Sequence, residues 1–219
     1  MGLFSRKKDD VVVEIEDTEP DVPIIGPWDE ADHPEREDRI DAGVLWLPQV
    51  EGAQIQFSID KNRNVVLGMV YLKDRTAIQL QVFAAPKSGG LWEDIRADLI
   101  SSVASQGGKF SEADGEFGHE VHAKMPVPGG QQVAPVRYIG IDGPRWLLRV
   151  TVSGKAANDE TLSNQYLHEI LDDLVVVRGQ EPHPPRELLP LSLPKVKAET
   201  PSRPTLELPR RGPEISEVR

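Results

Sequence analysis

The sequence predicts an α+β domain, an antiparallel sheet with two helices packed on one face, carried between disordered arms. Three observations predict it. Short runs in the middle of the chain alternate apolar and polar residues, the period of a strand with one wet face. Twice the period switches to three-and-four spacing, the mark of an amphipathic helix. The outer segments lack either period: residues 9–41 alternate acids with prolines, and residues 180–219 hold nine of the nineteen prolines.

Gln54-Ile55-Gln56-Phe57-Ser58-Ile59 alternates strictly, Val65 to Leu72 is almost continuously apolar, and Thr76 to Ala84 alternates again. Lys73-Asp74-Arg75 is the polar turn that makes a hairpin of the last two. After Ser88-Gly89-Gly90, the residues Trp92, Ile95, Leu99 and Val103 outline a helix closed by Gly107-Gly108. Strands are predicted at 109–113, 117–125, 134–141 and 145–153, the last pair joined through Asp142-Gly143-Pro144. A second helix starts at an Asn158 cap and shows Leu162, Tyr166, Leu167, Ile170, Leu171 and Leu174 on one side. Val175-Val176-Val177 reads as a last short strand. Trp92 and Trp146 fall on apolar faces and are expected in the core. At an offset of 68, Leu80 meets Leu148, Val82 meets Val150 and Leu99 meets Leu167, so the chain reads as two similar strand-hairpin-helix halves.

Composition sets the domain limits. Residues 9–41 carry fourteen acids against Arg36 and Arg39, while residues 42–179 are close to balanced, with sixteen acids and thirteen bases. The reading is an acidic arm over 1–41, a domain over 42–179 and a proline-rich extension over 180–219. In the arm no helical or strand period lasts long enough to build a face. The cluster Ile24-Ile25-Gly26-Pro27-Trp28 is the exception, an apolar group expected to dock on the body near its basic residues. Leu188-Leu189-Pro190-Leu191 is expected to lie as an extended strip along the domain, with a free tail beyond about Lys197.

The absence of cysteine excludes disulfides, thiolate metal sites and cysteine nucleophiles. No apolar run approaches the ~20 residues of a spanning helix, and no apolar stretch follows the first charges, so a cytoplasmic location without a membrane segment is expected. His119 and His122 are three apart on a strand and point to opposite faces, so no metal is expected there. No phosphate loop or nucleophile elbow occurs, and neither cofactor nor catalytic residue is assigned. The candidate binding set is basic: Arg137, Arg145, Arg149 and Lys155, an anion or acidic-peptide patch, together with Trp28. Nucleic acid is excluded as a partner by the negative body and arm.

The strings Phe83-Ala84-Ala85-Pro86-Lys87-Ser88-Gly89-Gly90-Leu91-Trp92, Asp114-Gly115-Glu116-Phe117-Gly118 and Gly140-Ile141-Asp142-Gly143-Pro144-Arg145-Trp146 resemble an uncharacterised family of actinobacterial proteins, a domain of unknown function. Val176-Val177-Arg178-Gly179 and Leu188-Leu189-Pro190-Leu191 extend the resemblance. It implies an intracellular bacterial protein and no established activity, so no functional residue transfers. The function is left unknown, with a non-enzymatic interaction or regulatory module and a protein partner as the leading expectation. The alternative is a small-ligand or anion-binding protein using the cleft between sheet and helices.

Overall fold

The structure, a computed structural model, describes residues 26–127, 129 and 132–194. Its frame is one large sheet ordered β4-β5-β6-β10-β9-β8-β7. These strands are β4 (Gln54–Asp60), β5 (Val65–Lys73), β6 (Thr76–Ala84), β7 (Lys109–Gly115), β8 (Gly118–Pro126), β9 (Val133–Gly143) and β10 (Trp146–Gly154). Every pairing in it is antiparallel: five join strands linked by short turns, and the sixth, β6 with β10, brings together strands separated by α1 and β7–β9. A smaller sheet, β1-β11-β3-β2, is built from β1 (Trp28–Asp29), β2 (Ile40–Asp41), β3 (Leu45–Leu47) and β11 (Val175–Val176).

The helices α1 (Leu91–Ser105) and α2 (Glu160–Leu171) follow β6 and β10. The α+β class is as predicted, but the helices cover opposite faces rather than one. Tyr166, Leu167, Ile170 and Leu171 of α2 pack with Leu80, Leu148, Val150 and Ile139, and the small sheet closes this core with Leu45, Leu47 and Val176. Leu91, Trp92 and Ile95 of α1 pack instead on Leu147, with Phe83 and Tyr138 beside them. The cause is visible in Trp146-Leu147-Leu148, all three buried. Successive strand residues point to opposite sides, so three apolar residues in a row require both sides to be covered.

The two halves share their strands more than their helices. β4-β5-β6 and β10-β9-β8 are meanders that meet at the β6–β10 pair, and Leu80 and Leu148 both enter the α2-side core. The residues matched at the turns diverge. Asp74 and Arg75 form a two-residue hairpin turn, both with positive φ, whereas Asp142 lies within β9 and Arg145 takes the positive φ after Pro144. Asp142 serves α1: its carboxylate accepts from the Leu91 and Trp92 amides at 3.1 and 3.3 Å. Gly90, the cap residue itself, offers no side chain, so the first amides of α1 are satisfied from a neighbouring strand. The cap of α2 falls one residue later than predicted, on Asp159, which accepts from the Leu162 amide.

The packed body extends past both predicted limits. Residues 26–41, assigned from composition to the acidic arm, contain β1 and β2. Trp28 and Asp29 pair in parallel with Val175 and Val176, the Trp28 Nε1 donates to the Asp172 carbonyl at 2.8 Å, and Asp29 accepts from Trp146 Nε1 at 2.7 Å. Arg39, 7% exposed, donates to the Asp173 carbonyl and pairs with its carboxylate. At the other end Leu188–Leu189 forms β12 against Phe83 and Val82 of β6. Leu191 then donates to Val66, and Ser192 to Ala42. Ile24, Ile25 and the tail beyond Lys197 lie outside the described residues. Trp92 and Trp146 are 5% and 2% exposed.

Gly140 marks the tightest contact between α1 and the sheet. A Cβ there would fall 2.0 Å from Trp92 Cδ2, so Gly140→Ala should lower stability by about 1–3 kcal/mol through overpacking. Urea denaturation measures this, and an unchanged midpoint would mean that the Trp92 ring is free to leave the strand.

Candidate functional site

The residues proposed as a basic patch are dispersed. Arg137 of β9 is buried on the α2 side. Arg149 lies on the α1 side, its guanidinium 5.0 Å from the Phe83 ring centre and bonded to Gln81 Oε1 at 2.5 Å. Burial lowers its pKa, against the pull of Tyr138. Arg145 occupies the β9–β10 turn, where its side chain donates to Gly179 O at 3.3 Å and its carbonyl accepts from Ala85 and Arg178. Lys155 opens a 3-10 turn (Lys155–Asn158) at the far end of β10, its amide bonded to Arg75 O. Nine strand residues at ~3.4 Å each separate Arg145 from Lys155. Trp28 lies at the C-terminal end of α2, its ring centre 4.3 Å from that of His33. The expected patch therefore does not assemble, and only Arg137 of the set lines a deep cleft.

That cleft has a volume of about 440 Å³. Its floor is the free end of the large sheet, and its roof is Ala156, Ala157 and Asn158 of the 3-10 turn with Glu160 at the start of α2. Strand register determines which side chains share the floor. Lys109, Lys124 and Pro135 form one row across β7, β8 and β9. Ser111, His122 and Arg137 form the next, and Ala113, Glu120 and Ile139 the one after. The second row deepens inward: Ser111 is exposed, the His122 side chain is 38% exposed and that of Arg137 is 2%.

Arg137 is held from three sides. Its Nε donates to Glu120 Oε2 at 2.6 Å, and its NH1 donates to Ser163 Oγ and Asn164 Oδ1 at 3.0 and 2.7 Å. Its NH2 is buried and has no hydrogen-bond partner among the described residues. A guanidinium presents five donors in a planar fork, so one wholly unmatched nitrogen marks a place where an acceptor would be stabilised. Glu120 in turn meets His122 Nε2 at 2.9 Å. The network also runs outward: Asn164 Nδ2 donates to Glu116 Oε2 at 2.9 Å, and Glu116 Oε1 meets His168 Nε2 at 2.8 Å. Glu116 sits in the β7–β8 turn, so this chain of bonds fastens the hairpin to α2.

The chemistry this arrangement supports is anion recognition. Two lysines, an imidazole, a hydroxyl and the Arg137 guanidinium share one wall, with Glu160 opposite. Ser111, His122 and Glu120 have the residue types of a nucleophile relay, but no hydrogen bond joins Ser111 to His122, and no reaction is assigned. His119 projects to the other face, where its Nδ1 meets Asp114 at 2.5 Å. No metal-holding cluster occurs among the described residues. A second groove of about 830 Å³ beside Ile55, Phe57 and Leu193 includes Arg39, whose guanidinium is already engaged by Asp173 and Glu37. Sequence reasoning missed Lys109, Ser111, Glu120, His122 and Lys124 as a group. Of these the sequence reading takes up only His122, along its own strand, whereas the row exists only across strands; extending the hairpin register outward from the Glu116-Phe117 turn would find it.

Residues 26–200 match the family model described as a protein of unknown function (DUF3710), and the chain belongs to that family. No curated protein and no solved structure matches it. Among the described residues no helix is long and apolar enough to cross a membrane.

Two predictions follow from these bonds. Arg137→Met strands Glu120 in the interior and should cost about 3–5 kcal/mol in denaturant titration. Adding Glu120→Gln to it should restore most of the loss; no recovery would show that the pair is not the coupled unit. His168 is the second case. Burial disfavours its charge, but hydrogen bonds and charge from Asp172 and Glu116 outweigh burial, and its pKa lies above the ordinary 6.5. Its contribution is therefore complete below about pH 6.5 and is lost as the pH climbs through the raised pKa. Thermal melts from pH 6 to 8.5 should fall in the parent and fall less in His168→Gln.

Proposed function

We propose that this chain is a cytoplasmic, non-enzymatic binding module that holds a small anion in the cleft between β7–β9 and the start of α2. The observation that carries the reading is the buried Arg137, with its unmatched NH2, at the inner end of a row that also contains His122. Lys109 and Lys124 flank that row in register. Surface cations alone would attract any counter-ion weakly. A guanidinium held in place by Glu120, Ser163 and Asn164 is preorganised, so little ordering entropy opposes ligand capture. The volume lies within the range of small-ligand sites, roughly 300–1,000 Å³. Phosphate and carboxylate oxygens both suit this wall.

Calorimetry with inorganic phosphate, pyrophosphate and citrate tests the reading. At least one should bind and should raise the melting temperature, by an amount equivalent to ~2.7 kcal/mol at a hundredfold excess over Kd. Lys109→Glu and Lys124→Glu should each weaken binding, while Lys61→Glu, on a different turn, should not. If all three anions leave the melt and the heat trace unchanged, the cleft is not an anion site.

A further inference from the structure

Among the described residues, the cleft lies beside an unpaired strand edge. β7 is the last strand of the large sheet, Lys109 to Asp114 are all exposed, and Phe110 stands 43% exposed on it. An open edge of seven residues is a template for another strand.

We infer that residues 9–17 of this same chain add to β7 as a guest strand and bring their acids onto the cationic wall of the cleft, an inference that takes its regulatory meaning from the anion-site reading. Four observations support it. The first described residues start from the right place. Gly26 packs against Leu171 O, and Trp28 is bonded to Asp172. His168, one helical turn earlier, holds Glu116 at the tip of the β7–β8 hairpin. The reach is sufficient, since the eight residues from 18 to 25 span up to ~26 Å when extended. Residue 17 can then lie by the Gly115 end of β7 and residue 9 by the Lys109 end, a parallel pairing.

The charge also matches. Asp9, Asp10, Glu14, Glu16 and Asp17 are five acids in nine residues that hold no base. Finally, the alternation fits the two sides of β7. With Asp10, Glu14 and Glu16 turned to the Lys109–Ser111 side beside Val12, the aliphatic Val11, Val13 and Ile15 turn to the Phe110 side, bounded by Asp9 and Asp17 at the two ends. Three alternating aliphatic residues are too few to build a sheet face unaided, but a prebuilt edge supplies the partner. The acids then compete with any anion for Lys109 and Lys124, so the docked segment is a built-in competitor of the ligand.

The experiment uses three full-length chains: the parent, a charge variant (D9N, D10N, E14Q and E16Q together) and Val13→Pro, which removes a strand amide. Hydrogen exchange of residues 109–115 and phosphate affinity are measured in each at low salt. Exchange over 109–115 should be faster by about tenfold or more in both variants, and phosphate should bind them more tightly than the parent. Identical exchange in all three chains would overturn the guest strand. Protection that grows with protein concentration would overturn it in favour of exchange between two copies. If phosphate binds none of the chains while exchange still separates them, the strand stands and the anion-site reading falls.

Discussion

β6 and β10 face each other without interruption from Ala84–Trp146 to Thr76–Gly154, and this ladder fixes the position of almost everything else. It joins two meanders that would each present open edges alone. Each of its strands leads into one of the two helices, and its alternate residues form the floors of both cores. Val82, Leu80, Ile78, Leu148 and Val150 are nearly inaccessible on the α2 side. Leu147 does the same work on the α1 side, with Phe83 beside it. The ladder's two ends are sealed by different devices. At one end Asp29 caps the Trp146 indole. At the other, Gly154 turns with a positive φ so tightly over Arg75 O that a Cβ would fall 2.2 Å from it.

Local periodicity was enough to read the strands. Gln54 to Phe57 alternates exposed and half-buried positions as expected, but a register shift between Ser58 and Ile59 breaks the pattern and leaves Ile59 exposed. Helix α1 was legible because Trp92, Ile95 and Val103 repeat at helical spacing, and all three are buried. What periodicity does not contain is the identity of the partner. Whether Trp92 meets the same sheet face as Tyr166 depends on how the chain crosses over, and the apolar triplet at Trp146 was the one local hint. Residues 26–41 were misassigned for a related reason. Acid and proline content describes an average over the segment, whereas order there comes from a few specific contacts: Trp28 on Asp172, Asp29 on Trp146, Arg39 on Asp173.

The candidate site was the least legible part because it is a product of register. Arg137 was singled out as one of several cations, with nothing to distinguish it from Arg145 or Arg149. Burial makes the distinction. Arg137 is neutralised by Glu120 and held by two helix side chains, Arg149 lies against Phe83, and Arg145 is part of a turn. Three guanidinium groups of the same chemistry thus take three roles, and a sequence gives no access to the difference until strands are paired. Buried ion pairs of this sort contribute little net stability by themselves. Their persistence at the end of a cleft is better understood as fixing the direction of a donor than as strengthening the fold.

The placement of β1, β11 and β12 has a bearing on how this protein is made. β1 hydrogen-bonds to β11, and the chain's first described contacts involve Leu174 and Val176. β6 is completed by Leu188 and Leu189. During vectorial synthesis the N-terminal segment therefore emerges long before its partners exist, and the central strand waits for residues more than a hundred positions downstream. A nascent chain halted before Glu160 would lack α2 and leave the apolar side of β5 and β6, with Leu80 and Met69, without that cover. Non-local pairing of this kind slows folding and lengthens exposure to aggregation. Residues 175–189 thus lock segments made more than a hundred positions earlier, and the core closes only once they have been made.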